Sequence, residues 1–233
     1  MRTAFAVSPH LDDAAFSAGA ALARLSERGW RVVIATVCTR TVADPQGFAL
    51  ACQLDKGLPA DADYMALRRA EDERACAALG AEPVHLGLPE APHRGYEDAR
   101  ALFGPVRVGD PLQTEAAQAL IALAGRLAPD LVLLPRALGA HVDHVTVRRA
   151  AEAALPGPRA YWTDWPYASR KDVADPFAGE DRTRRRLRVP TQGRQSAKLT
   201  ACAAYATQIG FQFGGHDGLR ASLAATQAER FLL

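Results

Sequence analysis

Residues 3–39 read TAFAVSPHLDDAAFSAGAALARLSERGWRVVIATVCT, and the fold class is decided there. Thr3 to Ser8 is a short apolar run. From Asp12 to Arg28 the apolar residues recur at helical spacing, and Gly29 stands where a C-terminal cap is expected. Arg31 to Thr39 is rich in β-branched residues without polar alternation, as in a parallel strand covered on both faces. The stretch therefore predicts a β-α-β unit.

The alternation continues outward. A helix is expected over Asp63 to Leu79, closed by Gly80, a strand over Glu82 to Leu86, and a helix over Pro111 to Leu127. A strand over Leu131 to Leu134 and a helix from about His144 to Leu155 follow. Beyond Pro156 the pattern weakens to candidate strands at Arg159 to Thr163 and Arg186 to Val189, with a helix over Ser196 to Gln208. No linker, repeat or low-complexity tract divides the 233 residues, so we expect one α/β domain over 1–233, a mostly parallel sheet flanked by helices. Two connections, Arg40 to Ala62 and Leu88 to Asp110, are too long to be plain turns. Both follow strand ends, where ligands bind in open α/β sheets, so they are expected to wall a pocket. The first has room for a short helix near Phe48 to Leu54.

Composition narrows the function. Basic and acidic residues nearly cancel, leaving +2, which gives no field for nucleic acid or anionic membrane. Cys38, Cys52, Cys76 and Cys202 are widely spaced with no C-x-x-C pair, which fits a reduced, cytoplasmic setting. The apolar residues ahead of His10 are too few for a signal-peptide core, and no apolar run reaches the ~20 residues of a membrane span.

Two polar clusters sit at predicted strand ends: Ser8-Pro9-His10-Leu11-Asp12-Asp13, and His141-Val142-Asp143-His144. Catalytic zinc takes three nitrogen or oxygen ligands and a water, and His10, Asp13 and His144 could supply that set. Asp12 could then act as general base and His141 could face the substrate oxygen. The plainer alternative is that Asp12 or Asp13 simply caps the helix that follows. His85, His93 and His216 lack partners in the sequence and read as surface or packing residues.

The segments Ser8-Pro9-His10-Leu11-Asp12-Asp13-Ala14 and His141-Val142-Asp143-His144 resemble the two signatures of the PIG-L, or LmbE-like, family of zinc-dependent N-acetylglucosaminyl deacetylases. Arg68-Arg69-Ala70-Glu71 resembles the family's R-x-x-E helix, and Lys198 through Tyr205 to Gln208 its late K…Y-x-x-Q helix. The resemblance spans about residues 3–210 and implies a Rossmann-like domain acting on a small amino-sugar substrate with one Zn2+ per chain. It implies His10, Asp13 and His144 as metal ligands and Asp12 as catalytic base. His141 would stabilise the oxyanion or protonate the leaving amine, with Asp143 as its orienting partner. Arg68 matches an arginine near the substrate in some members; a solvated helix face is an equal reading of it. Leu11 and Ala14 depart from the family's usual Pro and acid, which questions how the metal is tuned.

Other readings fit less well. Dinucleotide binding wants a glycine-rich first turn, yet the first glycine after the strand is Gly19. A binuclear H-x-H-x-D-H hydrolase would need His where Gly139 stands. A non-catalytic sugar- or partner-binding module on the same fold stays open, with Ala14 as its motive. The basic run Arg182 to Arg188 reads as a solvated strand edge, with an anion site as the alternative. Trp162, Trp165 and Tyr167 could stack on a sugar or pack locally.

Overall fold

The computed structural model describes residues 1–233. Its chain order is β1 (Thr3–Ser8), α1 (Asp13–Glu27), β2 (Arg31–Cys38), α2 (Gly47–Leu54), α3 (Tyr64–Leu79), β3 (Glu82–Leu88), α4 (Ala99–Leu102), α5 (Leu112–Leu127) and β4 (Leu131–Pro135). Then come α6 (Val142–Ala154), β5 (Arg159–Trp162), α7 (Ala178–Asp181), β6 (Arg186–Pro190), α8 (Gln195–Ala203), α9 (Ala206–Phe213), α10 (His216–Ala225) and β7 (Ala228–Leu232). The strands form one sheet in the order β3-β2-β1-β4-β5-β7-β6. The first five are parallel, and β7 pairs antiparallel with both β5 and β6.

This order places the site. From β1 the chain steps outward through β2 and β3, then returns to set β4 on the other side of β1. Connections therefore diverge at the carboxyl ends of β1 and β4, which opens a crevice there. Helices α1, α3 and α8 cover one face of the sheet through Phe16, Leu22, Leu79 and Cys202, and α5 and α6 cover the other through Leu120, Val147 and Ala151. The expected doubly covered parallel sheet is present, and all four cysteines are free. No helix is long and apolar enough to cross a membrane.

Three differences from the expected elements have physical causes. The single helix expected over Ser196–Gln208 is two, α8 and α9, turning at Tyr205, whose buried hydroxyl donates to Asp72 at 2.7 Å. The helix expected from His144 begins at Val142, because the His141 side chain accepts the Asp143 N–H and acts as its N-cap. Strand β7 escapes the pattern because one of its buried positions is Glu229, not an apolar residue. Glu229 accepts from the Ala20 and Ala21 amides of α1 at 2.8 Å and from Lys198 at 2.7 Å, all buried.

That ion pair ties β7 to α1 and α8. Removing one partner of a buried pair strands the other charge away from water, so Glu229→Ala should cost about 3–5 kcal/mol of folding free energy. Denaturant unfolding measures this; a loss below about 1 kcal/mol would mean that Lys198 finds water or another acid.

Candidate active site

The turn after β1 is built from its own hydrogen bonds. The Ser8 hydroxyl donates to the His10 carbonyl at 2.7 Å and accepts from the Ala14 amide at 3.1 Å, while the Asp13 carboxylate accepts the His10 N–H at 2.9 Å. The closure leaves Asp12 at φ 146° and ψ −34°, a conformation that non-glycine residues rarely hold, with Asp and Asn among the more tolerant. Although Asp12 stands at the N-cap of α1, its side chain makes no capping bond. Its Oδ2 lies 3.4 Å from Arg68 Nη2, both residues being buried. Burial, offset in part by Arg68, pushes the Asp12 carboxyl up to about 7.

Across the switch point, the start of α6 brings in His141, Asp143 and His144. Ligand atoms of His10, Asp13 and His144 lie within 4.8 Å of one another. Both nitrogens of the fully buried His144 lack a hydrogen-bond partner. Asp13 Oδ2 stands 3.3 Å from Nε2 and Asp164 Oδ1 3.5 Å from Nδ1, but neither contact is directed as a hydrogen bond. Burial opposes charge on His10 and His144, yet the carboxylates outweigh it. Asp13 and Asp143 hold His10 well above the ordinary imidazole range, and Asp13, with Asp164, raises His144 to about 9. Four buried carboxylates, Asp12, Asp13, Asp143 and Asp164, thus crowd three imidazoles with Arg68 and Arg94 as the nearby permanent cations. An unsatisfied imidazole in a site short of positive charge is what a divalent cation would complete, so the donor set fits a metal.

A second grouping, His10, Cys38 and Asp143, also lies within that range, which the sequence did not reveal. It shares His10 with the first set. Burial and Asp143 hold the Cys38 thiol well above its usual range. The Asp143 carboxylate is moreover occupied: Oδ2 contacts His10 Nε2 at 2.9 Å and accepts the Ala91 amide at 3.1 Å, while Oδ1 accepts from Arg94 at 2.6 Å.

Asp143 therefore differs in one respect from the role expected of it. Its carboxylate contacts the ring of His10, a member of the candidate donor set, and only its backbone amide hydrogen-bonds His141. Asn at 143 would put an amide N–H toward either Arg94 or His10 and remove the charge. Asp143→Asn should weaken metal affinity by about 10- to 100-fold, as loss of a group that orients a ligand histidine typically does. Competition against a chelating indicator measures it, and unchanged affinity would detach Asp143 from the metal.

His141 accepts at Nδ1 and so carries its proton on Nε2. Its ring meets Phe103 edge-on at 5.4 Å, and Tyr167 lies 5.3 Å from His144 and 6.4 Å from Phe103. Gly139 has φ +89°, and a Cβ there would stand 2.6 Å from the Tyr167 ring, so no side chain, histidine included, fits at that position. Trp162 is wholly buried and Trp165 stacks on Phe213 at 4.8 Å; of the three aromatics, only Tyr167 borders the site.

Arg68 is not on a solvated face. It is 4% exposed and donates to Glu90 and to the Leu11 carbonyl, both at 2.7 Å. Glu71 accepts from Thr207, and Gln208 donates to Tyr64, so the two helical patterns lock α3 to α9. His85, which lacked a partner in the sequence, contacts the buried Asp72 at 2.9 Å. Asp164, Arg94 and Glu90 were not foreseen. The visible signal for Asp164 was its place two residues past β5, and for Arg94 and Glu90 only their lying in the long 88–110 connection.

The family profile of GlcNAc-PI de-N-acetylase (PIG-L) matches residues 5–155. A 2'-N-acetylparomamine deacetylase of Streptomyces fradiae is 35% identical over 175 residues, 72% of this chain and 59% of that protein. The curated relative is thus matched over less than two thirds of its length. Among solved structures, a deacetylase of the teicoplanin biosynthesis pathway superposes with TM-score 0.82 at 28% identity, covering 99% of this chain and 96% of that one. The zinc-inhibited form of a teicoplanin deacetylase gives TM-score 0.80 at 26% identity, covering 99% and 97%. The profile spans β1 to α6, the stretch that carries all three residues of the candidate donor set His10, Asp13 and His144, and on that match the chain belongs to the PIG-L family.

Proposed function

We propose that this chain is a metal-dependent N-deacetylase of amino-sugar conjugates, with one zinc per chain held by His10, Asp13 and His144. The observation that carries this reading is that three-residue donor set at the β1/β4 switch point, with both His144 nitrogens buried and unsatisfied. Zinc in such a site acidifies a water toward pKa ~7 and polarises an amide carbonyl. Asp12, free of any capping duty and steadied by Arg68, is placed to accept the attacking water's proton and return it to the departing amine nitrogen. His141 offers Nε2–H to the carbonyl oxygen as that oxygen gains charge, while its Nδ1 is fixed by the Asp143 amide. Phe103 and Tyr167 provide apolar walls against which the C–H face of a sugar can pack.

The named relatives are deacetylases, one of them of 2'-N-acetylparomamine, which supports an N-acetylglucosamine-type ring as substrate class. The motive for a non-catalytic binding module was Ala14. That residue packs in the apolar core under α1, where an acid would have to be buried, and the donor set is complete without it. A panel of N-acetylated amino sugars, 2'-N-acetylparomamine and N-acetylglucosamine conjugates included, tests the activity. At least one member should release acetate and free amine in equal amounts. Metal-loaded protein that hydrolyses none of them would be a binding module.

A further inference from the structure

The basic run after α7 is only partly explained by edge protection. Arg186 and Arg188 lie exposed on β6, the outermost strand, where charge discourages edge-to-edge pairing. Arg230, however, lies on β7, which is paired on both sides, and Arg182 precedes the strand. The register sets Arg188 directly opposite Arg230, with Arg186 two residues along on the same face. Like charges so placed repel and weaken a sheet.

All four arginines line a groove of about 770 Å³ between the antiparallel β6–β7 pair and the segment from Thr163 to Arg182. Its two acids are taken: Asp175 by Arg136 at 2.5 Å, and Asp181 by Arg136 at 3.3 Å, Arg148 at 2.7 Å and Arg184 at 3.1 Å. Arg182, Arg186, Arg188 and Arg230 are left without an acidic partner. Five arginines against two aspartates give a local surplus of three positive charges, more than the +2 of the whole chain. The Arg230 carbonyl accepts the Thr163 N–H at 2.9 Å, so the groove opens at the carboxyl end of β5, on the same sheet edge as the metal site.

We propose that this groove binds the diphosphate group of a small molecule. Guanidinium groups grip phosphate oxygens bidentately, and a diphosphate carries about two to three negative charges at neutral pH, which matches the surplus. Cross-strand neighbours stand about 5 Å apart and same-face neighbours along a strand about 7 Å, close enough for one diphosphate to meet Arg186, Arg188 and Arg230 together. The site stands apart from the deacetylase reading and does not depend on it.

Calorimetric titration with inorganic pyrophosphate, with acetate at equal ionic strength as control, tests the proposal on the wild type and on Arg188→Gln/Arg230→Gln. The wild type should bind pyrophosphate with a Kd below about 1 mM and acetate not measurably, and the double variant should bind at least about tenfold more weakly. Its melting temperature should stay level or rise, since a repulsive pair is relieved. A wild type that ignores pyrophosphate, or a variant that binds it equally, overturns the site. Where deacetylation is followed, a rise in KM with pyrophosphate that vanishes in the double variant assigns the diphosphate to the sugar substrate. An unchanged KM assigns it to a second molecule; either result keeps the groove.

Discussion

Replacing Asp12 by Asn should lower turnover by about 10²- to 10⁴-fold while metal content and stability stay near wild type. The substitution is clean for reasons specific to this turn. Asp12 holds a positive-φ backbone conformation that costs on the order of 1–3 kcal/mol, and Asn, like Asp, is among the residues most often found at positive φ. The Ser8 and Asp13 hydrogen bonds that force the conformation do not involve the Asp12 side chain. What changes is the carboxylate, and with it the group that takes a proton from the attacking water. Were Asp12 only a helix cap, Asn would serve as well and turnover would stay within about threefold of wild type. Steady-state kinetics beside metal analysis separates the two outcomes.

The second large effect is expected at His141. His141→Ala should retain the metal, since His141 belongs to neither donor grouping, and lose roughly 10²-fold or more in turnover. Alanine also removes the cap of α6, which typically costs about 1 kcal/mol, so a drop in activity alone would be ambiguous. Asn at 141 can keep the cap yet lacks the imidazole Nε2–H. If His141→Asn melts like the wild type but turns over as poorly as His141→Ala, the hydrogen bond to the substrate carries the effect. Recovery of turnover with Asn would reduce His141 to a structural cap.

How much of this was legible beforehand varied with what each residue does. The β-α-β pattern of residues 3–39 and both strand-end clusters could be read directly, because buried parallel strands and helix faces leave periodic traces and paired His and Asp at strand ends are chemically conspicuous. Contacts made across the fold leave no such trace. Asp164 faces His144 from another strand end, and Arg94 reaches Asp143 from a loop 49 positions earlier in the chain. Nothing local marks either one. Glu229 misled the strand pattern because its buried position is satisfied by Lys198 and two helix amides rather than by apolar contact. Arg68 was undecided for the same reason: helical spacing placed it, but only the fold brings Asp12, Glu90 and the Leu11 carbonyl around it.

The central claim, that His10, Asp13 and His144 hold the metal on which deacetylation depends, is tested most directly by stripping the protein and restoring zinc stepwise while acetate release from a turned-over N-acetyl amino sugar is followed. Activity should be absent from the stripped chain and rise to a plateau at one equivalent of zinc, and His144→Ala should neither retain the ion nor recover turnover. Full turnover by the stripped chain, or one tightly held equivalent in His144→Ala, would contradict the account.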